Sequence, residues 1–294
     1  MTTYDHITAN KRRSMALIVV FFALVLLIGW LIDEYYGGGG LVIGIAAIYS
    51  TVMALVSYYT GDRVALAVSG ARQVTEKENP YLVRMVDNLC ISIGLPAPKV
   101  HIIDDPAINA FATGRDPQHA SIAVTTGAIK KLENEELEGV LAHELSHVRN
   151  YDIRVMTLVV VLVGIITVIG DIFFRLSFHG SRRRREGGGA LAVIGLILIV
   201  LAPLIAQLIK LAISRKREYL ADASAALMTR FPEGLARALE KIRLESRPLL
   251  RPSAATAHLF IANPFQKKFL ANLLSTHPPV EDRITALRKM GAPS

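Results

Sequence analysis

Four stretches of the chain carry no charged residue: Met15 to Ile32, Tyr35 to Gly61, Val155 to Gly170, and Gly187 to Ile209. A helix needs roughly 20 residues to cross the hydrocarbon core, and each stretch with its flanks reaches that length. The pattern predicts four transmembrane helices in two hairpins. The first stretch is too long for a signal peptide, and no small-residue cleavage site precedes Asp33-Glu34, so it reads as a retained anchor. Asp33 to Gly40 (DEYYGGGG) reads as a polar turn between the first two spans. No Lys-Ser/Thr follows its glycines, as a phosphate loop would require. The chain thus divides into a hairpin (1–61), a polar stretch (62–154), a second hairpin (155–213) and a second polar stretch (214–294). The polar stretches together have the size of one domain, so both belong on the same side of the membrane.

Within the first polar stretch the period changes. Leu82, Val83, Val86, Leu89, Cys90 and Ile93 follow helical spacing over Pro80 to Leu95, and Gly94 and Pro96 end that helix. Three short β-type runs follow, Lys99 to Ile103, Asn109 to Thr113 and Ser121 to Thr125, separated by turn residues. A small sheet is expected. The second polar stretch reads as helices broken at Pro248, Pro252, Pro264 and Pro278-Pro279. The fold class is therefore a mainly α-helical membrane protein with an α+β domain built on a small β-sheet.

Composition sharpens this. Hydrophobic residues make up 52% of the 294 and charged residues 20%, which excludes a disordered chain. A single cysteine, Cys90, excludes an internal disulfide framework and a cysteine-built zinc site. The net charge of +8 could point to nucleic acid, but the basic residues gather beside the apolar runs. Ten of them (Lys11, Arg12, Arg13, Arg63, Arg72, Arg149, Arg154, Arg215, Lys216, Arg217) flank the domain side, against five opposite (Arg175 and Arg182 to Arg185). That asymmetry predicts a multi-pass membrane protein with its domain in the cytoplasm and lipid as a partner, and the spans explain the net charge without nucleic acid. The loop Arg182 to Arg185 runs against the tendency.

The chemistry-bearing stretch is His143-Glu144-Leu145-Ser146-His147, in a helix for which Asn134 is the candidate N-cap. His143 and His147 stand four apart, so both imidazoles leave one helix face and can grip one ion. Glu144, one position round, can reach a water beside that ion without displacing it. A tetrahedral catalytic zinc wants three protein ligands and an open position. Glu218, in Arg217-Glu218-Tyr219-Leu220-Ala221-Asp222, is the candidate third ligand. Asp222, one turn on, is placed to hydrogen-bond the free ring N–H of a ligand histidine. One Zn²⁺ per chain is expected. His6, His101, His119, His179 and His258 have no ligand-type partner at helical spacing and read as non-metal residues.

With these motifs, the sequence resembles the HtpX-type membrane zinc metalloproteases, relatives of the CAAX prenyl endopeptidases. The resemblance covers essentially the whole chain. It rests on Asn109 to Gly114 (NAFATG), Val140 to Asp152 (VLAHELSHVRNYD), Glu218 to Asp222 (EYLAD), and Thr276 to Pro279 (THPP) with Glu281 to Ile284. It implies a zincin-like (gluzincin) catalytic domain, zinc on His143, His147 and Glu218, and Glu144 as the base. It also implies a substrate-aligning edge strand at Asn109, and His277 close enough to steady an oxyanion. The expected activity is hydrolysis of peptide bonds in damaged or misfolded membrane proteins at the cytoplasmic face. A narrow processing endopeptidase for lipidated or small membrane peptides is the enzymatic alternative. A zinc-stabilised membrane scaffold or chaperone is the alternative without catalysis, and it would have no use for Glu144.

Overall fold

A computed structural model describes residues 3–36, 39–164, 215–245, 247–253, 255–264 and 278–291. The second apolar hairpin beyond residue 164, Arg182 to Arg185 and His277 lie outside the described residues.

Helices α1 (Thr3–Tyr36) and α2 (Leu41–Val68) pack against each other. Among the described residues, these are the two helices long and apolar enough to cross a membrane. The predicted eight-residue turn between them is shorter, because α1 continues through Tyr36. Asp33 closes the turn, accepting hydrogen bonds from the N–H of Gly40 at 2.6 Å and of Val42 at 3.0 Å. Gly39 and Gly40 sit at φ +59° and +95°, a region glycine enters without a Cβ penalty. On α2, Leu41, Ile45, Ile48, Val52, Leu55 and Tyr59 form one exposed row. Such a face suits lipid better than water.

The first polar stretch folds much as its periodicity predicts. Helix α3 (Pro80–Ile93) starts with the Asn79 side chain accepting from the Leu82 N–H at 3.0 Å and stops at left-handed Gly94. Strands β1 (Ala71–Gln73), β2 (Lys99–Ile103), β3 (Ala110–Gly114) and β4 (Ala120–Thr125) make one sheet in the order β1-β2-β4-β3. The β2–β4 pair is parallel and the other two pairs are antiparallel. Strand alternation sorts the side chains. Val100, Ala110, Ala112, Ile122 and Val124 face one core, and Ile103, Phe111 and Ala123 face another.

The first core is filled by α3, α5 (Asn134–Arg149), α7 (Arg215–Thr229), α8 (Pro232–Glu245) and α9 (Val280–Gly291). A short helix, α4 (Thr126–Lys131), leads from β4 toward α5. The cap of α5 differs from expectation. Glu133 holds the cap position and its N–H donates to the Glu136 carboxylate at 2.8 Å, while Asn134 accepts from the Tyr81 hydroxyl. Where α5 and α8 cross, a Cβ on Gly139 would stand 2.7 Å from the Leu235 nitrogen. A Cβ on Gly234 would stand 2.4 Å from the Glu135 carbonyl oxygen, so the two backbones meet through glycine.

Helix α6 (152–164) begins the third apolar run, and its described part is packed inside the protein. Val155 to Val163 are buried throughout. Met156 and Val160 pack with Phe111, Ala123 and Phe260 behind the sheet, because the sheet's second face is apolar and must itself be covered.

Candidate metal centre

Helix α5 is the spine of the site. Its sequence is apolar on the buried side, with Leu137, Leu141, Leu145 and Val148 fully covered, and His143, Glu144 and His147 are buried with them. Helix α7 crosses α5 and delivers Glu218 and Asp222, separated from the histidines by some 70 residues of chain. The Nε2 atoms of His143 and His147 lie 3.3 Å apart. Glu218 presents Oε2 at 3.6 Å from the first ring and Oε1 at 3.7 Å from the second. Tetrahedral zinc with bonds of 2.0–2.1 Å separates its ligand atoms by roughly 3.4 Å. Among the described residues these three side chains form the group that could hold a metal ion.

The opposite edges of both rings are held by carboxylates. His143 Nδ1 lies 2.9 Å from Asp222 Oδ1, and His147 Nδ1 lies 3.0 Å from Asp152 Oδ2. A ring that gives its Nδ1–H to a carboxylate turns an Nε2 lone pair to the centre. Two such lone pairs 3.3 Å apart repel unless a cation or a shared proton lies between them. Charge in the surroundings favours that cation. Burial alone would push the His143 imidazole down, but the Asp222 and Glu218 carboxylates outweigh it and hold it up at about 9. His147 is likewise raised against burial, by Asp152 and Glu218. Asp222 is held at about 2, since the Arg283 guanidinium beside it outweighs its burial. Arg283, itself fully buried, grips Asp222 with two bonds of 2.8 and 2.7 Å.

Glu144 sits beside the group without belonging to it. Burial raises its carboxyl to about 7, opposed by the two imidazoles. The Ala112 N–H of β3 donates to the same carboxylate. Glu144 is thus poised to hold or release a proton near neutrality.

Sequence reasoning placed His143, His147, Glu218, Asp222 and Glu144 in one site, and the structure brings all five together. The Asn109 side chain is engaged within the chain: it donates to the Ala262 carbonyl at 3.0 Å and accepts from the Ala262 N–H at 3.2 Å. Beside it the Ile261 N–H donates to the Ala110 carbonyl. The edge at Asn109 and Ala110 is therefore met by the chain's own Ile261 and Ala262, and every residue of β3 is buried. A buried edge strand must satisfy its outward backbone groups, and at Ala110 a loop does so. His101, His119 and His258 are engaged elsewhere, with Lys99, Asp116 and Met156.

Three contributors were missed from sequence: Asp152, Arg283 and Asn10. Asp152 follows His147 by five, the wrong side of a continuous helix. The chain turns at Tyr151, at φ +59°, and α6 leaves in a new direction that returns Asp152 to the imidazole. Arg283 lay inside the quoted C-terminal motif without an assigned role.

Comparison with known proteins agrees with this geometry. Residues 76–291 match the sequence profile described as "Peptidase family M48". A protein of Dictyoglomus thermophilum named "Protease HtpX homolog" is 44% identical over 290 residues, covering 99% of this chain and 95% of its own. Relatives of the same name from Tropheryma whipplei (52% over 239 residues, 81% and 82% covered) and Streptococcus pyogenes (46% over 301 residues, 98% and 99% covered) agree. The crystal structure of S. mikatae Ste24p shares the fold, with a TM-score of 0.52 at 17% identity, over 97% of this chain and 67% of that one. The chain belongs to peptidase family M48.

Proposed function

We propose that this protein is a zinc endopeptidase anchored by four membrane spans, which cuts damaged or misfolded membrane proteins at the cytoplasmic face. The spacing of the His143, His147 and Glu218 ligand atoms carries the reading, because it matches what one tetrahedral ion requires. His143, His147 and Glu218 would hold the zinc. Bound there, zinc acidifies water toward a pKa of ~7 and polarises a scissile carbonyl. Glu144 accepts the proton of the attacking water and returns it to the leaving amine. Asp222 and Asp152 fix the ring orientations. The β3 edge, once Ile261 and Ala262 leave it, offers backbone groups to a substrate strand and so tolerates varied sequence. His277 is assigned to oxyanion stabilisation by the family resemblance alone. The membrane assignment is supported by α1 and α2, and the sidedness by the ten basic residues flanking the domain.

The test uses the purified full-length protein and a detergent-unfolded membrane protein. Cleavage is expected with zinc, and none with a chelator. Glu144→Gln should retain zinc and lose cleavage, whereas Glu218→Ala should lose zinc. Cleavage by Glu144→Gln at unchanged metal content would overturn the base. A Gly188→Cys change in a Cys90→Ser background tests topology, with labelling expected from outside intact cells.

A further inference from the structure

Helix α1 reaches the metal centre at a residue outside the span that matches the peptidase family. Asn10 lies ahead of the apolar run Met15 to Ile32, and it is followed by Lys11, Arg12 and Arg13, all exposed. Asn10 itself is 1% exposed. Its amide nitrogen donates to the Asn150 carbonyl at 2.9 Å and to Asp152 Oδ1 at 2.7 Å. Its amide oxygen accepts from Arg217 at 3.3 Å and from Arg13 at 3.4 Å. One side chain therefore ties together the end of α5, the start of α6 and the residue preceding Glu218. The other oxygen of Asp152 holds His147. Lys11 also lies over the Tyr151 ring at 4.9 Å, on the turn that returns Asp152 to the site.

We propose that Asn10 is a positioning residue for the metal site: acting through Asp152, the membrane-anchoring helix sets the orientation of His147. The amide suits the place because it offers donors to a carbonyl and a carboxylate and an acceptor to a guanidinium. Alanine leaves those buried partners unmet, and aspartate sets a second carboxylate against Asp152. The inference rests on the zinc reading of His143, His147 and Glu218. It means that a displacement of α1 relative to the domain weakens the grip on the ion without any change in the family-matched segment.

Zinc affinity of the full-length protein in detergent, by competition with a chromophoric chelator, is the decisive measurement. Outer partners of metal ligands are worth 10- to 100-fold in affinity, and Asn10→Ala should lose about 10-fold, with Asn10→Asp losing more. The visible spectrum of the Co²⁺-loaded protein should change in both. In an Asp152→Ala background, Asn10→Ala should add nothing, since its route is already cut. Asn10→Ser, a smaller polar change, serves as second variant and should fall in the same direction. Affinity of Asn10→Ala within twofold of the unmodified protein, additive losses in the double variant, or misfolding of both Asn10→Ala and Asn10→Ser would overturn the proposal. An unmodified protein that binds no zinc would instead remove the metal reading on which it rests.

Discussion

His143 and His147 stand one turn apart on the same helix, yet different parts of the chain hold them. Behind His143 is a buried ion pair, Asp222 with Arg283, supplied by α7 and α9. Behind His147 is Asp152, steadied by the neutral amide of Asn10 from the membrane helix. Arg217 Nε adds an ion pair there, 3.4 Å from Asp152. The first arm is closed by full charges in a dry place, and such a pair is costly to break from one side. The second combines hydrogen bonds from the neutral Asn10 amide with a longer ion pair to Arg217. The catalytic domain thus secures one ligand by itself and the other with help from its anchor.

Breaking the first arm should have the largest effect. Arg283→Ala leaves Asp222 buried without its bidentate partner, and the expected cost is about 3–5 kcal/mol of stability. Thermal unfolding of the detergent-solubilised protein measures it. An unfolding temperature equal to that of the unmodified protein would erase the distinction between the arms.

Removing the carboxylates compares the arms directly. Asp222→Ala and Asp152→Ala should each lower zinc affinity by about 10- to 100-fold. The loss should be greater for Asp222, because Arg283 then loses its bidentate partner and keeps the longer contact to Glu218. Chelator competition gives both values, and the reverse order would invert the comparison.

A change at the strand edge should leave both arms intact. Asn109→Ala frees the Ala262 backbone from two hydrogen bonds, each worth about 1 kcal/mol. Hydrogen exchange at Ile261 and Ala262 should quicken by about 10-fold while zinc affinity holds. Unchanged exchange would mean that the segment is kept on β3 by its apolar packing alone.

The smallest effect is expected at Cys90, which shares a core with Leu141 and Ile284. Burial pushes its thiol up to about 11. A pKa raised in the folded state stabilises the fold below the ordinary thiol range, and that contribution is lost as pH climbs through about 11. At pH 8 the native protein should therefore resist iodoacetamide. Arg283→Ala should speed labelling by loosening this core, and Asp152→Ala should not.

Much of this was legible locally. The helix over Pro80 and the three strands follow from periodicity, because a half-buried element must repeat its apolar positions at its own period. His143, Glu144 and His147 were legible because helical spacing alone puts two imidazoles on one face. Glu218 and Asp222 were found as a second helical pair that completes a ligand set. Asp152 was passed over because its position on a continuous helix is wrong, and only the left-handed Tyr151 corrects it. The β3 edge reads as open in sequence, since no local pattern tells that a loop some 150 residues later will cover it.

The sequence by itself determined the ligand types, their spacing on α5, the apolar helices of the anchor and the alternation of the sheet, all of which depend on neighbours within a few residues. The tertiary structure alone decided which carboxylate faces which imidazole, that Arg283 is buried against Asp222, that β3 is covered by its own chain, and that Asn10 reaches the metal centre. Apart from His147 with Asp152, five positions apart, those contacts join residues 61 to 207 positions apart. Their pairing is set by how the elements pack around a shared core, and the hydrophobic effect that drives the packing carries no direction of its own.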